Sequence, residues 1–135
     1  MNIEQIIQDS STLSQTANGG RLSHHLSKIV VGEITSIDTI LQKTGLKAVM
    51  VNCGSEVLTT TCSADNLRLG MKTAFAKLGA LLNNHRYVQI KEINGVECQG
   101  VICSEYDLGI GQEADAVLEI PDETVNGTKL IDLVA

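Results

Sequence analysis

From Lys28 onward, glycine turns cut the chain into short apolar runs, and this punctuation limits the folds open to it. KIVVGEITSI, LKAVMVNC, EVLTTTC, KTAFAKLGALL, YVQIKEI, VECQGVICS and AVLEI are all strand-length and rich in Val, Ile, Leu or Thr. Gly54-Ser55 lies between the second and third runs and reads as a tight hairpin. Asn94-Gly95 turns the chain before VECQGVICS, and Pro121-Asp122 ends AVLEI. ADNLRLGM reads as a turn or a single helical turn. No long amphipathic helix and no internal repeat interrupts the series. Several short strands within about a hundred residues predict a small all-β barrel or sandwich.

Residues 1–27 have a different texture, rich in Ser, Gln, Asn and His. Ile3, Ile6 and Ile7 are spaced for one face of a short helix, and Asn18-Gly19-Gly20 breaks it. The expected division is a polar N-terminal extension at 1–27, partly helical or disordered, and one domain at 28–135. At 135 residues the chain can bury a single modest core. No apolar run approaches the ~20 residues of a membrane span, and MNIEQIIQDSS lacks the basic start of a signal peptide. These features place the chain in the cytoplasm, off the membrane, with its cysteines reduced.

The formal net charge of -6 argues against a nucleic-acid ligand, but its distribution is uneven. Between Leu67 and Lys91 stand Arg68, Lys72, Lys77, Arg86 and Lys91, with His85 and no acid. Between Glu97 and Ala135 stand nine acids and one base, Lys129. Read conservatively, this is a solvated strand face followed by a solvated acidic end. Only Phe75, Tyr87 and Tyr106 are aromatic, too few for stacked bases or an aromatic cage.

Four cysteines and three histidines raise the question of a metal. Structural zinc needs two close cysteine pairs, and only Cys98 and Cys103 have that spacing. On one strand, an odd separation would point those two to opposite faces. Cys53 sits at the hairpin turn, and Cys62 lies roughly 20 Å along the return strand at ~3.3 Å per residue. The cysteines therefore read as small buried hydrophobes, with no metal site. His24 and His25 fall in the extension and His85 in a loop, without a nucleophile elbow. Glu105 and Asp107 lack apolar neighbours that would raise one pKa, so they read as solvated loop carboxylates. Gly109 and Gly111 precede no Lys-Ser/Thr and no signalled helix, so they form no phosphate loop. No catalytic residue and no cofactor is expected, and a binding module is favoured over an enzyme.

GVECQGVICSEYDLGIG, with CSADNLRLGMKTAFAKLGALL upstream, resembles the tRNA-binding domain fused to many aminoacyl-tRNA synthetases. Cys103-Ser104-Glu105 and Leu108-Gly109 point to the version in bacterial phenylalanyl-tRNA synthetase β subunits. The resemblance runs from about Lys28 to Leu130, through VVGEI at 30–34, Cys62, Asn66, Gly70, Gly95-Val96-Glu97, Gly100, Ile120-Pro121 and Gly127-Thr128. It implies a non-catalytic, five-stranded OB-fold barrel with additional short strands and short helical segments. Such a module binds tRNA through backbone and shape, without sequence readout. Phosphate contacts would come from Arg68, Lys72, Lys77, Arg86 and Lys91, joined on the RNA side by Asn66, Cys98, Val101 and Ser104. The acidic tail would lie away from the RNA. Implied partners are tRNA, bound weakly, the synthetase α subunit through a longer chain, and a second copy as a homodimer. Such a chain would belong to phenylalanine-tRNA ligase without catalysing anything itself.

The chain also departs from this pattern. Ile40-Leu41-Gln42-Lys43-Thr44 replaces a common His-Pro-Asn-Ala-Asp loop, and Cys98 and Val101 replace Ser and Met. With the net charge, this sets up the alternative of a protein-interaction or dimerisation barrel that has lost RNA affinity.

Overall fold

The computed structural model describes residues 27–40 and 45–134. The expected extension before Ser27, including His24 and His25, and Leu41–Thr44 of the departing loop lie outside the described residues. Among the described residues, no helix is long and apolar enough to cross a membrane.

Among the described residues nine strands form: β1 (Ile29–Thr39), β2 (Lys47–Asn52), β3 (Val57–Cys62), β4 (Lys72–Lys77), β5 (Leu81–Leu82), β6 (Arg86–Tyr87), β7 (Lys91–Ile93), β8 (Val96–Cys98) and β9 (Gly100–Ile102). After them come two short helices among the described residues, α1 (Glu105–Leu108) and α2 (Leu130–Val134). The main sheet is antiparallel in the order β3-β2-β1-β4-β9. Strand β1 serves two neighbours: Ile29–Glu33 pair with β4, and Glu33–Thr39 pair with β2. A register shift between Ile34 and Ser36 separates the two halves, the kind of bulge that bends a strand around a barrel.

The barrel nearly closes between β3 and the β8–β9 junction. The Gln99 N–H donates to Thr59 O at 2.8 Å, and the Thr59 N–H donates to the Gln99 side-chain oxygen at 2.8 Å. The Thr60 hydroxyl donates to Gly100 O at 2.6 Å. The ring order is therefore β1-β2-β3-β9-β4, a five-stranded antiparallel barrel of OB type. Gly100 makes this approach possible. A Cβ there would run into the Phe75 ring and the Ala76 carbonyl oxygen. The Asn94-Gly95 turn joins β7 to β8 with both residues at positive φ, 50° and 84°, as a type I′ turn requires.

Two readings of the sequence need correction. VECQGVICS is not one strand. It breaks at Gln99 into β8, which pairs with β7, and β9, which pairs with β4. Gln99 turns its own backbone and side chain to Thr59 instead of continuing one ladder. AVLEI forms no ladder either. Its residues make isolated bridges, Val117 to Ser104 and Ile120 to Lys72.

Burial explains this second difference. Residues Ile29–Gly32 and Thr73–Ala76 are buried in succession, so β1 and β4 are covered on both faces. One face looks into the barrel, where Val30, Ile34, Val49, Val51, Met71, Phe75 and Ile102 pack together. The other carries Ile29, Val31, Ala74 and Ala76 and packs against Cys103, Leu118, Ile120 and Leu130. The segment 118–130 is thus an outer cover. It is tied down by Leu118 N–H to Cys103 O (2.9 Å), Ile120 N–H to Lys72 O (3.0 Å) and Val31 N–H to Thr128 O (2.8 Å).

Candidate nucleic-acid interface

OB barrels take oligonucleotides mainly on the outer face of their second and third strands. Here Val49, Val51 and Thr60 are buried, so the alternating partners Ala48, Met50, Asn52, Thr59 and Thr61 form the outward row. That row carries no charge, and Met50 is 42% exposed.

The cations lie elsewhere, and most already have an acid. Arg68, in the turn before β4, holds Glu119 at 3.0 Å. Lys77, at the end of β4, holds Glu56 at 2.8 Å. Arg86, on β6, holds Asp107 at 2.6 Å. Lys72 is enclosed, its side chain only 12% exposed. Its ammonium donates to Thr124 O at 2.8 Å and Asn126 Oδ1 at 2.6 Å and lies 3.8 Å from Glu33. Lys91, on β7, is exposed and forms no ion pair among the described residues. The resemblance implies an acidic tail that lies away from the RNA. The structure instead sets two of its acids, Asp107 and Glu119, directly on the two arginines.

Both carboxylates are anchored a second time. Ser104 caps α1: its side chain accepts from the Asp107 N–H at 3.2 Å, and its own N–H donates to Asp107 Oδ2 at 3.0 Å. This reciprocal box leaves Oδ1 for Arg86. Glu119 Oε2 accepts from Asn66 Nδ2 at 3.2 Å. Asn66 is itself fixed to the Val117 backbone, donating to its O at 2.9 Å and accepting from its N–H at 3.0 Å. The Asn66 hydrogen bond first, and Arg68 second, hold the Glu119 carboxyl below its ordinary pKa. Glu105 and Asp107 are therefore helix residues, not loop residues. The Ser-x-x-Asp spacing and Gly109, at φ 75°, were the available signal. Nothing in the sequence announced Glu119 as the partner of a residue 51 positions earlier.

The remaining expected RNA-side residues are mostly enclosed. Ser104 and Cys98 are buried, and Val101 is half-buried against the outer core. Cys98 Sγ lies 3.4 Å from the Thr61 hydroxyl. Burial raises the Cys53 pKa to about 11 and pushes Cys62 and Cys103 up as well. No group of three or more His, Cys, Asp or Glu that could hold a metal occurs among the described residues.

Hollows flank the barrel among the described residues. One, of about 270 Å³, lies between Leu58, Leu78, Ile90 and Gln99 and is edged by the Lys77–Glu56 pair. Another, of about 290 Å³, is polar and lined by Cys62, Asp65, Ser104, Asp107 and Asp115 among others.

Fold and charge layout together define a small OB-type β-barrel in which Arg68, Lys77 and Arg86 are each held by a carboxylate of the same chain. A family model described as "Putative tRNA binding domain" matches residues 29–129, and the chain belongs to that family. It is 35% identical over 111 residues to the phenylalanine–tRNA ligase beta subunit of Rhodospirillum rubrum, covering 82% of this chain and 14% of that protein. It is 32% identical over 133 residues to the beta subunit of Francisella tularensis, covering 91% of this chain and 17% of that protein. The chain thus spans about one-seventh of the length of these relatives. The crystal structure of a MetRS related protein from Pyrococcus horikoshii shares the fold, with TM-score 0.53 and 23% identity over 75% of this chain and 86% of that one.

Proposed function

We propose that this barrel is a tRNA-binding module of the phenylalanine–tRNA ligase beta-subunit type, which contacts tRNA backbone and shape without reading sequence. The observation that carries the reading is the family match, which coincides with the barrel and its outer cover from β1 to Lys129. The charge layout supports a weak, salt-dependent contact. Arg68 and Arg86 keep half of their side-chain surface in solvent, 58% and 55%, and a guanidinium with one carboxylate bond has donors to spare for a phosphate. With Lys77 and exposed Lys91 they give a phosphate-tracking set. Lys72 is less available, because its ammonium is committed to the cover segment. The synthetase context, an alpha-subunit partner and a cytoplasmic location belong to this same proposal.

One observation favours the protein-interaction alternative. The hollow beside Lys77 is lined by Leu78 and Ile90, both substantially exposed, 43% and 54%. Fluorescence anisotropy with labelled bulk tRNA separates the two readings. The tRNA reading expects binding at about 50 mM salt that is lost in the Arg68→Glu/Arg86→Glu variant. Equal binding by wild type and variant contradicts the assigned contacts. No binding by folded wild type leaves the protein-interaction reading.

A further inference from the structure

The two arginines differ from ordinary surface cations in what holds them. An exposed ion pair is usually loose and worth little, because both side chains must be ordered to make it. Here the carboxylate side is ordered in advance. Asp107 is fixed by the Ser104 N–H on one oxygen and offers the other to Arg86. Glu119 is fixed by Asn66 on one oxygen and offers the other to Arg68. Asn66 cannot swing away without giving up both bonds to Val117. Each acid therefore presents a positioned oxygen where a phosphate oxygen would bind a guanidinium, and its entropy of ordering is met by the fold. The Lys77–Glu56 pair is different: among the described residues, no second donor holds the Glu56 carboxylate.

We infer that Asp107 and Glu119 are built-in phosphate stand-ins, which hold Arg86 and Arg68 in a masked state and thereby set how weakly the barrel binds an RNA backbone. This rests on the tRNA reading above. An incoming phosphate meets a guanidinium whose charge is already partly neutralised and one of whose donors is taken by an anchored carboxylate, so each contact is worth less than an open arginine would give. The net charge adds to the same effect from a distance, but over more than about 8 Å at physiological salt it is largely screened. The two anchored acids act within hydrogen-bond distance and are not.

The test uses the full chain and bulk tRNA, with Asp107→Asn, Glu119→Gln, both together, and Glu123→Gln as the charge control. Glu123 is exposed and forms no ion pair among the described residues. Asn at 107 keeps an acceptor for the Ser104 N–H, and thermal melts confirm that each variant is folded. The inference expects affinity at about 50 mM salt to rise roughly three- to tenfold in each single variant and further in the double. The log–log salt slope should steepen by about 0.7–0.9 for each arginine released. Glu123→Gln should change neither. In an Arg86→Gln background the gain from Asp107→Asn should vanish, which ties it to that arginine. Wild type that binds while D107N and E119Q match E123Q overturns the inference and leaves the tRNA reading standing. A folded double variant that binds no tRNA at low salt overturns both.

Discussion

Replacing Lys72 with Met separates a structural lysine from an RNA-contacting one. Methionine keeps an apolar stem of similar length against its neighbours and removes only the ammonium. What is lost is specific. Two charge-assisted hydrogen bonds go, to Thr124 O at 2.8 Å and Asn126 Oδ1 at 2.6 Å, with an ion-pair partner, Glu33, at 3.8 Å. Such bonds contribute about 1.5–3 kcal/mol each. Thr124 and Asn126 are only half-buried, so water can partly replace the ammonium and the total falls to about 2–3 kcal/mol. For a domain of this size that is a drop of roughly 8–15 °C in Tm. Loss should fall on the cover, because Lys72 also carries the bridge to Ile120 and its ammonium holds 124–126. The assay is a calorimetric or circular-dichroism melt, paired with a tRNA salt titration well below the transition. A variant that melts within a degree or two of wild type, yet loses about one phosphate contact from its salt slope, would refute the reasoning. Lys72 would then point outward in solution.

Two further expectations test the closure and the tail. Gly100→Ala should cost about 1–3 kcal/mol or more, because its Cβ meets the Phe75 ring and the Ala76 carbonyl. A urea midpoint unchanged from wild type would mean that β9 does not close against the barrel as described. Glu119 has a lowered pKa in the folded state, so its stabilising contribution is complete above the unfolded carboxylate value of about 4.3 and fades as pH falls through the lower folded value. Wild type should therefore be more stable than Glu119→Gln at neutral pH, with the gap closing as the pH falls below the unfolded carboxylate value. A gap that persists or widens in acid contradicts the Asn66–Glu119–Arg68 arrangement.

The sequence carried the barrel well where the signals were local. Gly54-Ser55 and Asn94-Gly95 marked hairpins that form, and the apolar runs from Lys28 to Lys77 correspond to the four long strands. It carried less where one residue answers to a distant one. Gln99 looks like any polar strand residue, and only Thr59, forty positions away, makes it the place where one apparent strand becomes two. AVLEI is apolar and strand-length, but the neighbours it bridges belong to different segments, so no ladder forms. The charge layout was half legible. The basic and acidic stretches were plain, but charge runs say nothing of pairing, and the tail's acids return to the arginines from 21 and 51 residues away. Ser104-Glu105-Tyr106-Asp107 did hold a local signal, the capping box that orients Asp107, outweighed by its place at the end of an apparent strand.

The most direct test of the central claim is the salt dependence of tRNA affinity for the unaltered chain, measured between about 50 and 200 mM with several unrelated tRNAs. Binding should be weak, with a log–log slope near -1.5 to -3 for two to four phosphate contacts and nearly the same affinity for each tRNA. A flat slope, or strong preference for one sequence, would contradict backbone recognition. Absence of binding at the lowest salt would contradict the tRNA reading itself.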